Sequence, residues 1–378
     1  MNLTAAEDTR LERRSDHLEH FQQNRKLLFS IAYRMLGSVE DAQDVVQETY
    51  IRFSGHPLPQ LRNPQGFLVT ILTRLAIDAR RSAYEKRKAY PGPWLPEPML
   101  DGFEESMVLS QSAGAAFLLL LELLSPVERA VIVLRDVFDF EYNEIADFIE
   151  KKPDHCRKIA ERARKRIRKH RDQSPLEAWE GGAGQVSPFL HDLEKNNSGQ
   201  RGASHSLDAR SDLARSQGIR KTDSNRTGHS SDSRKKALLK SFQKACISGD
   251  LTSLMELLAS DVKVHSDGGG RIAAALRVVA GADPAGRFFI GLAKKMPGSY
   301  SVPVKIGGEL SVLVFEADHS LSSVVQFRTE RNRIAEVYAM RNPDKLKSVQ
   351  ASIRKSWKLR AKIWLFARMN RFAAPGRP

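Results

Sequence analysis

The sequence predicts a multidomain chain in which two all-α domains precede one α+β domain. Over the first 170 residues or so, apolar side chains recur at steps of three and four, which is typical of amphipathic helices. From about 181 to 233 the chain is rich in Ser, Gly, Asn, Asp and Arg and poor in large apolar residues. Short apolar or alternating runs between turn residues follow, and these predict strands. A length of 378 residues is enough for two or three domains.

Three amphipathic helices are predicted before residue 90. Gly37 ends the first helix and Ser38 caps the second. The third begins at Pro64 after a cap at Asn63, and its far end mixes cations with rings: Arg74, Arg80, Arg81, Tyr84 and Tyr90. This mixture suits single-stranded nucleic acid, which is held by charge and stacking. Charged helix ends with packing tyrosines are an ordinary alternative.

A helix-turn-helix is predicted between Ser125 and Arg168. Ser125 and Glu128 form a capping box around a proline at the first helical position, and a later helix opens at Pro153. That helix has an apolar face, while eleven Lys or Arg between positions 151 and 171 oppose only Asp154 and Glu161. Such a cationic stripe is an electrostatic footprint for phosphate, so we expect DNA binding, with a merely solvated helix face as the alternative.

The whole chain is strongly basic, with a formal charge of +15 and a pI near 9.8. Nucleic acid or an acidic membrane surface is therefore the expected kind of partner. We find no signal peptide and no apolar run long enough to span a membrane, which favours a cytoplasmic location. The two cysteines, Cys156 and Cys246, have neither disulfide nor metal-site spacing, and no phosphate loop or cofactor motif is present.

Two motifs point to a known family. The segment 41–49 reads DAQDVVQET, and the segment 64–81 reads PQGFLVTILTRLAIDARR. Both resemble region 2 of the extracytoplasmic-function (ECF) sigma factors of the sigma-70 family, and 125–168 resembles region 4. In the turn of region 4, Glu150 and Lys152 replace the family's usual glycine and its serine or threonine.

The resemblance implies binding sites for RNA polymerase core and for promoter DNA. The first helix pair of region 2 binds the clamp helices of the polymerase, which assigns that contact to Asp41, Asp44, Gln47 and Glu48. The basic third helix holds the −10 element, which assigns DNA contacts to Arg74, Arg80 and Arg81. The region 4 helix reads the −35 element in the major groove, through His155, Arg157, Lys158, Glu161, Arg162 and Lys165.

The segment 94–98, WLPEP, resembles the linker of a sigma subgroup with a fused C-terminal SnoaL-like domain, which has an NTF2-like cone fold. Helices followed by antiparallel strands fit that α+β cone. The subgroup's two signature motifs are matched by 267–271, DGGGR, and 342–346, NPDKL. The resemblance implies a built-in regulator in place of a separate anti-sigma factor, acting through Trp94, Asp267, Gly268, Gly269, Gly270, Asn342, Pro343, Asp344, Lys345 and Leu346.

Six segments follow from these assignments. They are region 2 (16–90), a proline-rich linker (91–111), region 4 (112–172), a disordered tether (173–234), the SnoaL-like domain (235–345) and a basic amphipathic tail (346–378). We expect the tail to dock within the chain on the acidic residues Asp41, Asp44 and Glu48, with a membrane surface or nucleic acid as alternative partners.

The predicted function is that of a sigma factor without chemistry of its own, modulated by its C-terminal domain. Two alternatives remain at this point. One is a DNA-binding regulator that acts without polymerase core. The other is an NTF2-like enzyme tethered to a DNA-binding arm, for which Asp267, His265, Asp318 and His319 are the candidate acid and base groups.

Overall fold

The computed structural model describes residues 2–100, 114–173, 225–307 and 309–373. Its N-terminal unit consists of three helices, α1 (Asn2–Leu36), α2 (Val39–Ser54) and α3 (Pro64–Lys88). The predicted boundaries are confirmed: Gly37 has a φ of 71°, and the Ser38 hydroxyl accepts a hydrogen bond from the Asp41 amide. The first helix begins well before residue 16, where region 2 was predicted to begin.

The second helical unit contains α4 (Ala115–Glu122), α5 (Pro126–Ile132), α6 (Tyr142–Ile149) and α7 (Pro153–Gln173). A π-helical turn, Val133–Val137, extends α5. The capping box predicted at the start of α5 is confirmed, because the Ser125 hydroxyl accepts from the Glu128 amide while the Glu128 carboxylate accepts from the Ser125 amide. The linker residues 101–111 lie outside the described residues.

The two helical units share one hydrophobic core. Leu68, Leu72 and Ala76 of α3 are buried in the same cluster as Ile145 of α6 and Ile159 of α7. The side chains that each amphipathic helix must bury are therefore covered partly by the other unit. Regions 2 and 4 pack directly on each other in this arrangement, which we call the closed arrangement.

The C-terminal unit is α+β, as predicted. Its helices are α8 (Asn225–Ser248), α9 (Leu251–Leu257) and α10 (Ala282–Lys295). The strands are β1 (Leu258–Asp267), β2 (Val279–Ala280), β3 (Tyr300–Ile306), β4 (Glu309–Phe315), β5 (Leu321–Glu330) and β6 (Arg333–Met340). They form one sheet in the order β2-β1-β6-β5-β4-β3, in which only the β1–β6 pair is parallel.

The predicted tether is partly wrong. Helix α8 begins at Asn225, inside the range predicted as disordered, while 174–224 lies outside the described residues. Buried Leu238, Leu239 and Phe242 anchor α8 on one face of the sheet. Docking of this apolar stripe stabilises a helix whose first turns are polar in sequence.

The opposite face of the sheet is covered by the tail and by the linker. The tail forms α11 (Pro343–Lys355) and α12 (Trp357–Ala373). Its Leu359, Ile363 and Phe366 pack against the cluster of the sheet that contains Val302 and Ile306. Docking of the tail on the acidic residues of region 2 is therefore wrong for the described part of the tail, because its apolar stripe finds an apolar sheet face instead.

Along the described ranges, none of the helices is both long enough and apolar enough to cross a membrane.

Candidate DNA interface and linker contact

Helix α7 presents a cationic outer face. Cys156, Ile159 and Ala163 are buried beneath it, as the apolar periodicity predicted. The side chains predicted to reach DNA all lie on the exposed side: His155, Arg157, Lys158, Glu161, Arg162 and Lys165. An α-helix with such a face fits the major groove of B-form DNA.

The turn before α7 keeps its geometry without a glycine. Glu150 has φ 52° and ψ 53°, the left-handed conformation that glycine usually supplies at a helix end, and the Lys151 amide donates to the Ala146 carbonyl over 2.9 Å. The Glu150 carboxylate also lies 2.9 Å from Arg74 of α3. A left-handed non-glycine residue costs about 1 kcal/mol, and this contact between the helical units offsets part of that cost.

Two cations of α7 hold the helix in place. Arg164 forms a largely buried ion pair with Asp136 in the π-helical turn. Arg166 lies 2.7 Å from the Glu128 carboxylate of the capping box. These two side chains fix the orientation of α7 on its unit, so the remaining exposed cations are presented at a defined angle.

Arg157 offers a direct test of base reading by α7. Its guanidinium is exposed, bonds Asp154 over 2.5 Å and lies over the Tyr142 ring, which leaves it pre-oriented at the start of the helix. For Arg157→Ala we expect the protein to lose about 1 to 3 kcal/mol of binding free energy that discriminates one base position of the −35 element. Binding titrations against a panel of single-base variants measure this loss. If binding to every DNA sequence weakens equally, and the slope of log affinity against log salt concentration falls by about one, then Arg157 contacts only the phosphate backbone.

One basic side chain of α3 belongs to a buried charge network. The Arg80 side chain is only 1% exposed and lies 2.5 Å from Glu122 of α4. The same carboxylate bonds Arg129 of α5 over 2.6 Å, and Arg129 also donates to the Arg34 carbonyl. Burial lowers the pKa of Arg129 to about 10. One carboxylate therefore joins two buried guanidinium groups at the boundary of regions 2 and 4.

The prediction that Arg80 faces DNA is corrected for the closed arrangement, whereas the prediction for Arg74 is not tested. Arg80 is buried, and Arg74 donates to the Phe148 and Asp147 carbonyls at the end of α6. Arg81 is exposed beside Asp78 at 3.0 Å, and the Arg74 side chain is still 45% exposed. The physical reason for the burial of Arg80 is that α3 packs on the other helical unit.

The acidic face of α2 is exposed, as predicted. Asp41, Asp44 and Gln47 are open to solvent, and Glu48 is half-buried beside Arg52 at 2.7 Å. Asp41 and Glu40 lie in the first turn of α2, where the helix dipole favours negative charge.

The linker is bound to the C-terminal unit through Asp267 at the end of β1. The Asp267 carboxylate is buried and accepts from the Tyr90 hydroxyl at 2.5 Å, the Leu95 amide at 2.8 Å and the Gly269 amide at 3.0 Å. Lys345 at the start of α11 lies 2.7 Å from the same carboxylate and donates to the Leu95 carbonyl over 2.6 Å. Its ammonium group also sits 4.1 Å from the Trp94 ring. The motif residues Asp267 and Lys345 thus bind the linker jointly.

The glycines of the 267–271 loop allow this close approach. Gly269 and Gly270 have φ values of 64° and 71°, and a side chain at Gly269 would collide with Asn342. Asn342 caps α11 ahead of Pro343 and donates to the Tyr90 hydroxyl over 2.9 Å. Gly268 has no space for a side chain either, because Ile272 lies against it.

The two signature motifs meet at this loop. Arg271 bonds Asp344 over 3.0 Å, and Leu346 is buried on the sheet. The structure therefore brings together all the residues predicted as regulatory.

The same linker is bound to region 2 on its other side. The Glu97 carboxylate accepts from the Val39 amide over 2.7 Å, and the Tyr33 hydroxyl donates to the Glu97 carbonyl over 2.5 Å. The Glu97 amide donates to the Gly37 carbonyl over 2.8 Å, and Trp94 packs against Gly37. Burial raises the pKa of Glu97. Residues 90–97 therefore connect region 2 to the C-terminal unit by hydrogen bonds in both directions.

The candidate acid and base groups of the enzyme alternative are not assembled into one site. Asp267 is bonded to Lys345 and the linker, and Asp318 caps an exposed turn by accepting from Ser320. The His319 ring shares a hydrogen bond with the Tyr300 hydroxyl, while His265 stacks on Tyr338. His265 and Asp267 lie on β1, whereas Asp318 and His319 lie in the turn between β4 and β5.

Fold and surfaces together define a class of protein: a helix-turn-helix DNA-binding protein with a second helical unit and a fused α+β unit. Comparison with known families agrees with that class. The sigma-70 region 2 model matches residues 20–85, and the sigma-70 region 4 model matches residues 115–167.

Relatives match over most of the chain. SigJ of Mycobacterium tuberculosis, an ECF RNA polymerase sigma factor, is 26% identical over 87% of this chain and 92% of its own length. A probable ECF sigma factor of the same organism, SigI, is 24% identical over 87% and 94%. The crystal structure of M. tuberculosis SigJ superposes with a TM-score of 0.58 at 23% identity, covering 88% of this chain and 98% of that chain.

The chain carries regions 2 and 4 of the sigma-70 family and is a homologue of ECF sigma factors. It is a sigma factor, and so directs promoter-specific transcription initiation by bacterial RNA polymerase. The two alternatives, a regulator acting without polymerase and a tethered enzyme, are not favoured, because the relatives that match most of the chain are sigma factors.

Proposed function

We propose that the fused C-terminal domain regulates this sigma factor by holding it in the closed arrangement. The observation that carries the proposal is the buried Asp267 carboxylate, which binds the linker at Tyr90 and Leu95. Two residues further on, Glu97 binds region 2. Because one short segment bonds both partners, movement of the domain is transmitted to region 2 through the linker.

In the closed arrangement part of the basic surface of region 2 is not accessible to DNA. Arg80 is buried against Glu122, and Arg74 is engaged by α6. Arg80 becomes accessible, and Arg74 loses its contacts with α6, only when region 4 moves away from α3. We therefore infer an open state in which Arg74, Arg80 and Arg81 contact the −10 element while α7 reads the −35 element through its exposed face.

The proposal includes a polymerase surface on α2. Asp41, Asp44 and Gln47 are exposed together with half-buried Glu48, and they form an acidic patch on a basic chain. Charge complementarity to a basic protein surface supports this role. A regulator within the chain also makes a separate anti-sigma factor unnecessary for restraint, and the protein works in this scheme without catalysis or a cofactor.

The test is promoter-dependent transcription with polymerase core, comparing the full chain with a chain that ends at Arg171. If the domain holds the closed state, the effective affinity for polymerase falls by the closed fraction, and removing the domain changes transcript yield several-fold. A higher transcript yield from the truncated chain indicates that the domain only restrains the sigma factor. A lower yield indicates that the domain also assists the open state. Equal yields at matched concentration, from a truncated chain with intact helical circular dichroism, contradict regulation by this domain.

A further inference from the structure

The outer face of α12 is apolar and has no partner among the described residues. Its inner side chains Leu359, Ile363 and Phe366 pack on the sheet. On the outer side, Trp357 is 67% exposed and Trp364 is 60% exposed, and Leu365 is half exposed. Large apolar side chains at such exposure in one patch mark an interaction surface rather than ordinary solvent contact.

Helix geometry aligns the two tryptophans. They are seven residues apart, which places them about 10 Å apart along the axis and within about 20° around it. Ala361 lies between them and Arg368 one turn beyond Trp364, so the strip runs along the side opposite the buried one. Two aromatic rings therefore point outward from a helix that the sheet holds in a fixed position.

Cations border this strip on both sides. Lys358 lies 6.0 Å from the Trp357 ring, and Arg368 lies 5.4 Å from the Trp364 ring. Further exposed cations line the helix and the end of α11: Arg354, Lys355 and Arg360. No Asp or Glu occurs after Asp344. The face thus carries only positive charge around an apolar centre.

We propose that the outer face of α12 binds the surface of an anionic lipid bilayer. Tryptophan and leucine at the centre bury their rings and methyl groups at the boundary of headgroups and acyl chains, and flanking Lys and Arg bind anionic headgroups. Duplex DNA is a poorer partner for this face. The DNA phosphates bind cations, whereas the centre of the strip consists of tryptophan and leucine. The interaction is in the plane of the membrane surface and needs no spanning segment.

Flotation of the full-length protein with lipid vesicles tests the proposal. We expect binding to vesicles of phosphatidylcholine with phosphatidylglycerol, little binding to phosphatidylcholine alone, and weakening as salt rises. Trp357→Ser combined with Trp364→Ser is expected to weaken binding at least about tenfold, because each ring loses buried apolar area. The matched control is Ile247→Ser, an equally exposed apolar side chain on α8, which is expected to leave binding unchanged.

A second variant separates loss of the surface from loss of fold. Lys358→Glu with Arg368→Glu alters only exposed side chains, and it is expected to weaken binding to anionic vesicles while thermal unfolding stays unchanged. The proposal is overturned if the anionic vesicles do not bind, or if binding persists in the double tryptophan variant, since the cations of α7 would then account for it. Binding of duplex DNA that depends on the two tryptophans, without vesicle binding, also overturns it in favour of a nucleic-acid partner.

Discussion

Replacing Glu122 with alanine is expected to lower the free energy of unfolding by about 3 to 5 kcal/mol. The Glu122 carboxylate is the shared partner of Arg80 and Arg129, whose side chains are 1% and 0% exposed. Among the described residues, Arg80 Nη1 and Arg129 Nη2 have no hydrogen-bond partner, so the network has no spare acceptor. Without Glu122, two buried positive charges face each other without compensation.

Urea denaturation followed by circular dichroism measures this loss. The matched control is Glu48→Ala, which removes an exposed partner of Arg52 and is expected to cost less than about 1 kcal/mol. Glu122→Ala also has a functional readout. Separation of α3 from α4 exposes Arg80, and this is expected to raise the affinity of the protein for DNA of the −10 element. If Glu122→Ala lowers the free energy of unfolding no more than the control does, Glu122 is not the partner that stabilises Arg80 and Arg129.

The second large effect is expected for Asp267→Asn, which keeps the size of the side chain and removes its charge. The Asp267 carboxylate binds Tyr90, Leu95 and Lys345, and the Lys345 side chain is only 14% exposed. Removing one partner of a buried pair costs about 3 kcal/mol or more. Since 1.4 kcal/mol is tenfold, the balance between closed and open states is expected to shift by about a hundredfold.

Limited proteolysis and transcription report this shift in the full-length protein. The segment 95–98 is buried in the closed arrangement, and its cleavage is expected to accelerate when the linker is released. Transcription from the cognate promoter is expected to change in parallel. Asp318→Asn is the matched control, an exposed turn aspartate of the same domain that touches neither linker nor region 2. Equal cleavage rates in the two variants contradict control through Asp267.

Sequence periodicity predicted the elements well because local rules determine them. The capping box at Ser125 and the helix end at the left-handed Gly37 form as expected, and strands follow the helices in the C-terminal unit. The regulatory motifs were predicted from family resemblance, which gives the residues but not their partners. That Asp267 bonds the linker could not be derived, because its partners Tyr90 and Leu95 are 177 and 172 residues away in sequence.

The burial of Arg80 could be predicted in part from the sequence. Arg80 continues the buried series Leu68, Leu72 and Ala76 at steps of four, so periodicity alone assigned it to the inner face of α3. Its charge instead favours solvent or DNA, and this is the expectation that the structure corrects. Glu122 was missed because a single acid in a leucine-rich helix carries no sequence signal of its buried partners.

Glu97 and the tail illustrate the same limit. Glu97 was noted only as part of the linker motif, although its carboxylate is the group that bonds the Val39 amide. The tail's amphipathic character was predicted, but charge complementarity indicated the wrong partner. Its apolar side matched a sheet face that only the folded domain creates.

The core shared by regions 2 and 4 has a consequence for how polymerase and promoter influence each other. In the proposed scheme promoter DNA binds the open state, because Arg80 is released only when the shared core separates, and polymerase core is expected to favour the same state. Each ligand that binds therefore lowers the remaining free energy of opening for the other, although the two need not touch. Polymerase and DNA are thereby expected to bind cooperatively and reciprocally, with a coupling free energy bounded by the stability of the packing between α3 and α6.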